Sequence, residues 1–278
     1  MNKFTRRTVI AAACAAAAMT FGPMSFAQQA PEKKDVTIAV GGKSLYYYLP
    51  LSIAEQLGYF KDEGLNVKIV DFQGGSRSLQ AVVGGSADVV SGAFEHTISM
   101  QAKKQPMTAF VLQGRAPQLA LVVSNKTMKD YKQLSDLKGK KVGVTAPGSS
   151  SQMVANFILK KGGLGPKDVA FIGVGSSSGA VSAIRSGQID ALINLDPVIT
   201  ILLKNGDAKL VADTRKVKES ESFFGGTMPA GCLYAPVSFI EKNPQTVQAL
   251  TNAIVRADEW LSKATPEEVA KVVPASYL

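Results

Sequence analysis

Residues 74–90 read GGSRSLQAVVGGSADVV, and residues 176–192 read SSSGAVSAIRSGQIDAL. The second stretch repeats the first 102 positions later, with Leu79, Val82, Gly85 and Asp88 answered by Val181, Ile184, Gly187 and Asp190. In each copy a Gly/Ser entry leads into apolar positions on one helical face. A glycine then stops the helix, and an acidic residue opens an apolar strand. A helix–strand unit that occurs twice predicts two similar α/β lobes facing one another.

The chain around these copies has the same character, with β-rich runs alternating with helical ones. Val36–Val40 reads as a strand ending in Gly41-Gly42. Pro50 opens a helix with Ile53, Leu57 and Phe60 at i, i+4 and i+7, and Gly58 is its stop. Val67–Phe72 is the next strand, and Asp88-Val89-Val90 the one after it. In the second half, Val142-Gly143-Val144 running into Pro147-Gly148-Ser149 mirrors the first strand and its glycines. The expected organisation is a linker at 28–35, a first lobe from 36–116 plus 231–278, and a second lobe from 117–230. Two crossings, near Arg115-Ala116-Pro117 and Ala230-Gly231-Cys232, would form a two-strand hinge with the ligand cleft between the lobes.

Met1–Ala27 reads as an export signal. Lys3, Arg6 and Arg7 precede an Ala-rich apolar run that ends in Ser25-Phe26-Ala27, so the mature chain is expected to start near Gln28. Thr5-Arg6-Arg7 resembles a twin-arginine signal, with an ordinary secretory signal as the alternative. Either route predicts a periplasmic protein. Cys14 lacks the preceding Leu of a lipoprotein signal. No later segment holds the roughly 18 unbroken apolar residues of a transmembrane helix. Cys232 is the single cysteine left after cleavage, so no internal disulfide is expected and the apolar core must carry the fold.

The formal net charge of +9 falls when the signal's three basic residues go, leaving 28 basic against 22 acidic side chains. The lysines are scattered without an aromatic stacking platform, which argues against nucleic acid. The remaining bias favours anionic solutes.

In open α/β sheets ligands sit beyond the carboxyl ends of the strands. Those positions carry Lys43, Ser44, Tyr46 and Tyr47 after the first strand, and Gly75 and Ser76 after the second. Phe94, Glu95 and His96 follow the third. The second lobe offers Gly148, Ser149 and Ser150, then Ser177, then Asp196. Plain N-capping accounts for any one Gly/Ser turn. Three at equivalent positions, each opening a helix, suit an anionic head group, with Ser76, Ser149 and Ser150 as its donors. Tyr46 and Tyr47 would line the body of the ligand. His96 and Glu95 each have a structural reading as well, a buried hydrogen-bonding histidine and a helix-opening acid.

Enzymatic motifs are missing. One histidine and one mature cysteine do not make a metal site, and there is no Gly-x-Ser-x-Gly elbow, phosphate loop or dinucleotide fingerprint. Neither a metal nor a cofactor is expected. A Cys232–His96 nucleophile–base pair rests on co-occurrence alone, and Cys232 reads better as a small buried apolar residue. Trp260 falls at helical spacing with Ala253, Ile254 and Ala257 and is expected in the core.

Ala54–Leu65, AEQLGYFKDEGL, resembles the A-x-x-x-G-y-F-k-x-e-G-l stretch of nitrate/sulfonate/taurine-type ABC solute-binding proteins. Gly84–Asp88 is similar to their G-x-x-D turn, and Asp136–Val144 to their second-lobe entry. The resemblance runs from about Val36 onward. It implies an α/β type II periplasmic-binding fold, a small-molecule ligand in the cleft, an ABC permease as partner and a monomer. Relatives usually continue for some tens of residues past the final Val273–Leu278, so missing C-terminal helices are an expectation here. The family's ligands range from sulfonates, nitrate and taurine to thiamine-pyrimidine precursors and aromatic acids. An enzyme on the same scaffold and a sensory domain are the rival classes.

Overall fold

Ten strands form two five-stranded sheets in the computed structural model, which describes residues Gln29–Tyr277. The export-signal reading of Met1–Ala27 lies outside the described residues. The first sheet holds β1 (Asp35–Val40), β2 (Asn66–Asp71), β3 (Val89–Ala93), β4 (Met107–Leu112) and β10 (Gly231–Pro236), in the order β2-β1-β3-β10-β4. The second holds β5 (Ala120–Ser124), β6 (Lys141–Val144), β7 (Ala170–Gly173), β8 (Ala191–Asn194) and β9 (Ala208–Asp213), in the order β7-β6-β8-β5-β9. The orders correspond place for place. In each sheet four strands run in one direction, and a single reversed strand, β10 or β5, fills the fourth place.

The helices follow from the apolar spacing. Pro50 sits in the first turn of α1 (Leu49–Gln56), and Gly58, in the left-handed region at φ 77°, separates it from the short α2 (Tyr59–Asp62). Phe60 therefore lies in its own turn rather than on a continuous helix with Ile53. Then come α3 (Gly75–Val83), α4 (Glu95–Ala102), α5 (Ser150–Lys161) and α6 (Ser178–Ser186). The long helix Pro244–Leu261 lays Ala249, Leu250, Ala253, Ile254 and Ala257 against α1 and α2. Trp260, expected in the core, is half-buried at its margin. Cys232 is fully buried and unpaired. Cohesion therefore comes from apolar burial, worth about 1.5–3 kcal/mol for each fully covered Leu, Ile or Val. No helix among the described residues is long and apolar enough to cross a membrane.

The sequence repeat has a physical counterpart. Gly85 and Gly187, at φ 77° and 80°, turn the chain out of α3 and α6. Three residues later the carboxylate of Asp88 accepts the Thr37 N–H at 2.8 Å, and that of Asp190 accepts the Lys141 N–H at 2.9 Å. Each aspartate pins its own strand to the parallel strand beside it, β3 to β1 and β8 to β6. The strand after Asp88 runs on through Ser91, Gly92 and Ala93, all buried, so these three are sheet residues rather than the start of a loop.

Two segments pass between the sheets, Gln113–Leu119 outward and Thr214–Ala230 back. They bond to each other at both ends. The Thr214 N–H and hydroxyl both donate to the Leu119 carbonyl, at 2.8 and 2.7 Å, while the Gly114 N–H donates to Gly231 at 3.1 Å and the Ala230 N–H to Gly114 at 3.2 Å. Paired crossings of this kind permit rotation of one lobe against the other while resisting separation.

Candidate functional site

The carboxyl ends of the parallel strands in both sheets face one another, and the turns that leave them meet directly. The Ser76 N–H donates to Ser149 Oγ at 3.1 Å, the two hydroxyls lie 3.2 Å apart, and Ser76 Oγ donates to the Pro147 carbonyl at 2.9 Å. The Tyr46 N–H donates to the Asp196 carbonyl at 3.0 Å. Ser149 occupies the N-cap of α5 without capping it, because its hydroxyl is spent across the cleft. Glycine makes this approach possible: a Cβ on Gly74 would stand 2.8 Å from the Cβ of Ala146.

Beside this seam lies an inter-lobe cavity of about 530 Å³, within the range of small-ligand sites. The first lobe lines it with Gly42, Ser44, Asp71, Phe72, Gln73 and Arg77, and the second with Thr145–Pro147, Gly173–Ser177 and the start of α6. Arg77 is the one basic side chain in this lining and Asp71 the one acid. Asp71 Oδ1 is committed to the Gly42 and Lys43 N–H groups, at 2.7 and 2.9 Å. The openings of α3 and α6 border the cavity, one from each lobe, and bring the positive ends of two helix dipoles to it, whereas α5 opens at the seam beside it.

The residues singled out from sequence separate into distinct places. Ser44 and Ser177 line the cavity, while Ser76 and Ser149 form the seam with Gly75 and Gly148 beside them. Ser150 opens α5. Lys43 turns to Glu55, at 2.9 Å, which neutralises its charge within the first lobe. Tyr46 is exposed and stacks on Tyr277 with centroids 6.2 Å apart. The Asp196 side chain stays in its own lobe, accepting from Thr200 at 2.8 and 2.9 Å and from Arg215 at 3.2 Å, and only its carbonyl reaches the first lobe. Phe94 is half-buried against the apolar cluster that contains Val90 and Tyr234. Asp71, Arg77 and Gln113 escaped the sequence reading. A charged or amide side chain at the end of an apolar strand was the available signal for Asp71, and one just past it for Gln113.

Tyr47, Glu95, His96 and Gln113 converge on the end of β3, all of them buried. The Phe94 N–H donates to Ala230, and β10 pairs Gly231 with Ala93, which sets Glu95 beside the start of β10. Gln113, one residue past β4, donates its N–H to the Gly231 carbonyl. The Tyr47 ring comes within 3.5 Å of the Cβ position of the same glycine. Burial raises the Glu95 carboxyl to about 7, its own backbone N–H offsetting a part. Burial lowers His96 to about 4, partly offset by the Gly148 backbone across the cleft. His96 Nδ1 lies 2.9 Å from the Tyr234 hydroxyl, so it is engaged away from Cys232. Burial also pushes the Cys232 thiol up to about 12, and its Sγ contacts the Gly92 carbonyl at 3.6 Å. A thiol so held is no nucleophile at neutral pH. Among the described residues no cluster of three His, Cys, Asp or Glu side chains suits a metal ion.

Two lobes on paired crossings, closing over a cavity walled by turns from both sheets, define the class of two-lobed cleft binding folds. Within that class, the profile of the NMT1/THI5-like family matches residues 46–269, and the chain belongs to that family. A solved protein from Bordetella bronchiseptica RB50 is 63% identical over 90% of this chain and 79% of its own, with a TM-score of 0.89. The periplasmic nitrate-binding protein NrtA from Synechocystis PCC 6803 shares the fold, at TM-score 0.73 and 18% identity over 88% of this chain and 66% of its own. The putative binding protein YtlA of Bacillus subtilis is 25% identical over the whole chain and 80% of its own length. The 4-amino-5-hydroxymethyl-2-methylpyrimidine phosphate synthase of Candida albicans is 24% identical over 81% of this chain and 67% of its own.

Proposed function

We propose that this chain is the exported substrate-binding component of an ABC importer, which holds a small anionic organic solute in the inter-lobe cleft and hands it to an inner-membrane permease. The observation that carries the reading is the cavity itself. Arg77 and the N-termini of α3 and α6 border it from the two lobes, so an anion bound there bridges the lobes and favours closure. Sulfonate, nitrate and carboxylate groups all meet that requirement. The signal-like Met1–Ala27 fits delivery to the periplasm, and closure of a monomer supplies the surface that the permease reads. The Cys232–His96 pair gives a catalytic role no support, since the thiol is buried and His96 is engaged with Tyr234.

Thermal unfolding of the protein lacking residues 1–27, against a panel of sulfonates, nitrate and carboxylates, tests this. Solute at 100 times its Kd adds about 2.7 kcal/mol, and therefore raises Tm by roughly 5–11 °C for a chain of this size. A shift confined to anions supports the proposal. Stabilisation by no anion, or turnover of the bound compound, refutes it.

A further inference from the structure

The surplus positive charge of the chain is carried by one lobe. Residues 29–116 with 231–277 hold 13 basic and 13 acidic side chains, whereas residues 117–230 hold 15 basic and 9 acidic. Much of the excess lies in residues 126–141, where Lys126, Lys129, Lys132, Lys138, Lys140 and Lys141 stand against Asp130 and Asp136. All but Lys140 are exposed, and among the described residues none of the six forms an ion pair. Lys167 and Asp168, brought alongside by the Gly139 N–H bond to the Asp168 carbonyl, add one charge of each sign.

Most of the nearby carboxylates are turned to the backbone. Asp136 accepts the Lys132 and Gln133 N–H groups at 2.8 and 3.0 Å, and Asp190 accepts that of Lys141 at 2.9 Å. The Lys126 ammonium donates to the carbonyls of Arg185 and Ser186, at 3.2 and 3.0 Å, which fixes it in place without balancing its charge. A depression of about 480 Å³ opens between Lys126, Lys129 and Lys140, and Tyr131, Asp130 and Asp136 share its wall. This face lies at the amino ends of β6 and β8, the pole of the lobe opposite to the strand ends that wall the cleft. No exposed large apolar side chain falls within residues 125–141. The face therefore lacks the apolar and aromatic core of a protein interface. Its lysines spread over loops beyond the rim of the depression, a distribution that suits a plane of phosphates.

We propose that residues 126–141 form a membrane-docking face, which holds the second lobe against the anionic phospholipid head groups of a bilayer and leaves the cleft free. The inference goes beyond the solute-binding reading and needs no solute for its test. The attraction is electrostatic, so it acts within about 10 Å of the surface at moderate salt and fades as salt screens the lysines.

Vesicle flotation tests it, using the protein lacking residues 1–27, which keeps every described element. At low ionic strength the protein should float with vesicles of equal parts phosphatidylglycerol and phosphatidylcholine, stay behind with phosphatidylcholine alone, and be released by molar salt. Lys129→Gln, Lys132→Gln and Lys138→Gln together should lower the ratio of bound to free protein about tenfold or more, at up to about fivefold for each lysine near the surface. Lys68→Gln, Lys242→Gln and Lys271→Gln, three exposed lysines of the first lobe that form no ion pair, remove the same charge from elsewhere. That triple variant should stay within about twofold of wild type, because charges held farther than a Debye length from the bilayer are screened. Circular dichroism of both variants checks the fold. Equal losses in the two triple variants overturn the proposal, since the attraction would then belong to net charge rather than to this face. Flotation with neither vesicle, or with both alike, overturns it as well, and each of these results leaves the solute-binding reading untouched.

Discussion

Replacing Glu95 by glutamine should make the unliganded protein more stable above neutral pH and leave it almost unchanged in acid. Burial raises this carboxyl from 4.5 to about 7. Its favourable contribution is therefore complete below pH 4.5 and is lost as pH climbs through 7. At about 1.4 kcal/mol per pH unit, that interval amounts to roughly 3 kcal/mol of stability withheld at pH 8. Glutamine has nearly the same shape and no charge, so it removes the cost. With 2–4 °C per kcal/mol for a chain of this size, Tm at pH 8 should rise by roughly 6–12 °C. His96 acts in the opposite sense. Its value falls from 6.5 to about 4, so its contribution is complete above pH 6.5 and is lost as pH falls through 4, in both proteins. Asp258, half-buried and raised to about 6, follows the sign of Glu95 but is present in both. The assay is thermal unfolding of wild type and variant from pH 4 to 9, read as the difference in Tm. A difference that is the same at pH 5 and pH 8, or a variant less stable at pH 8, refutes the reasoning.

Ser149→Ala removes both cross-cleft bonds to Ser76, each worth about 1 kcal/mol, so the Kd for solute should rise roughly five- to thirtyfold. Calorimetry measures it, and an unchanged Kd would disconnect this contact from closure. Gly42 has φ 114°, and a Cβ there would lie 2.8 Å from that of Ser176. Gly42→Ala should hold the lobes apart, giving a larger radius of gyration by small-angle scattering even at saturating solute; an unchanged radius counts against this. Asp190→Ala and Asp88→Ala should each cost about 1–2 kcal/mol in urea unfolding, since each strips the acceptor from an N–H of the neighbouring parallel strand. An unchanged unfolding free energy in either variant would show that its carboxylate does not hold the strand pair.

Much of the architecture was legible because its signals are local. Glycines at left-handed positions bound the strands and helices, and the repeated Leu/Val–Val/Ile–Gly–Asp spacing marks equivalent units in both lobes. The task of Asp88, accepting an N–H from a residue 51 positions earlier, has no local trace. The Gly/Ser turns were legible as candidate ligand donors, but a sequence does not reveal that Ser76 and Ser149 reach each other, because their separation depends on how far the lobes have rotated. The tyrosine run was equally ambiguous. A single 3-10 turn at Tyr46–Tyr48 sends Tyr47 and Tyr48 inward and leaves Tyr46 outside. Gln113 read as an ordinary loop amide because its burial depends on β10, which lies more than a hundred residues further along the chain.

The exchanged place of β10 sets a timetable for biosynthesis. Residues 120–213 complete the second sheet from one continuous stretch, whereas the first sheet keeps a gap between β3 and β4 until Gly231–Pro236 has been made. On a chain that grows from its N-terminus, the half that starts first is finished last. Until then β3 and β4 each expose a strand edge to any extended segment nearby, which makes nascent chains halted before residue 231 the species most in need of a chaperone.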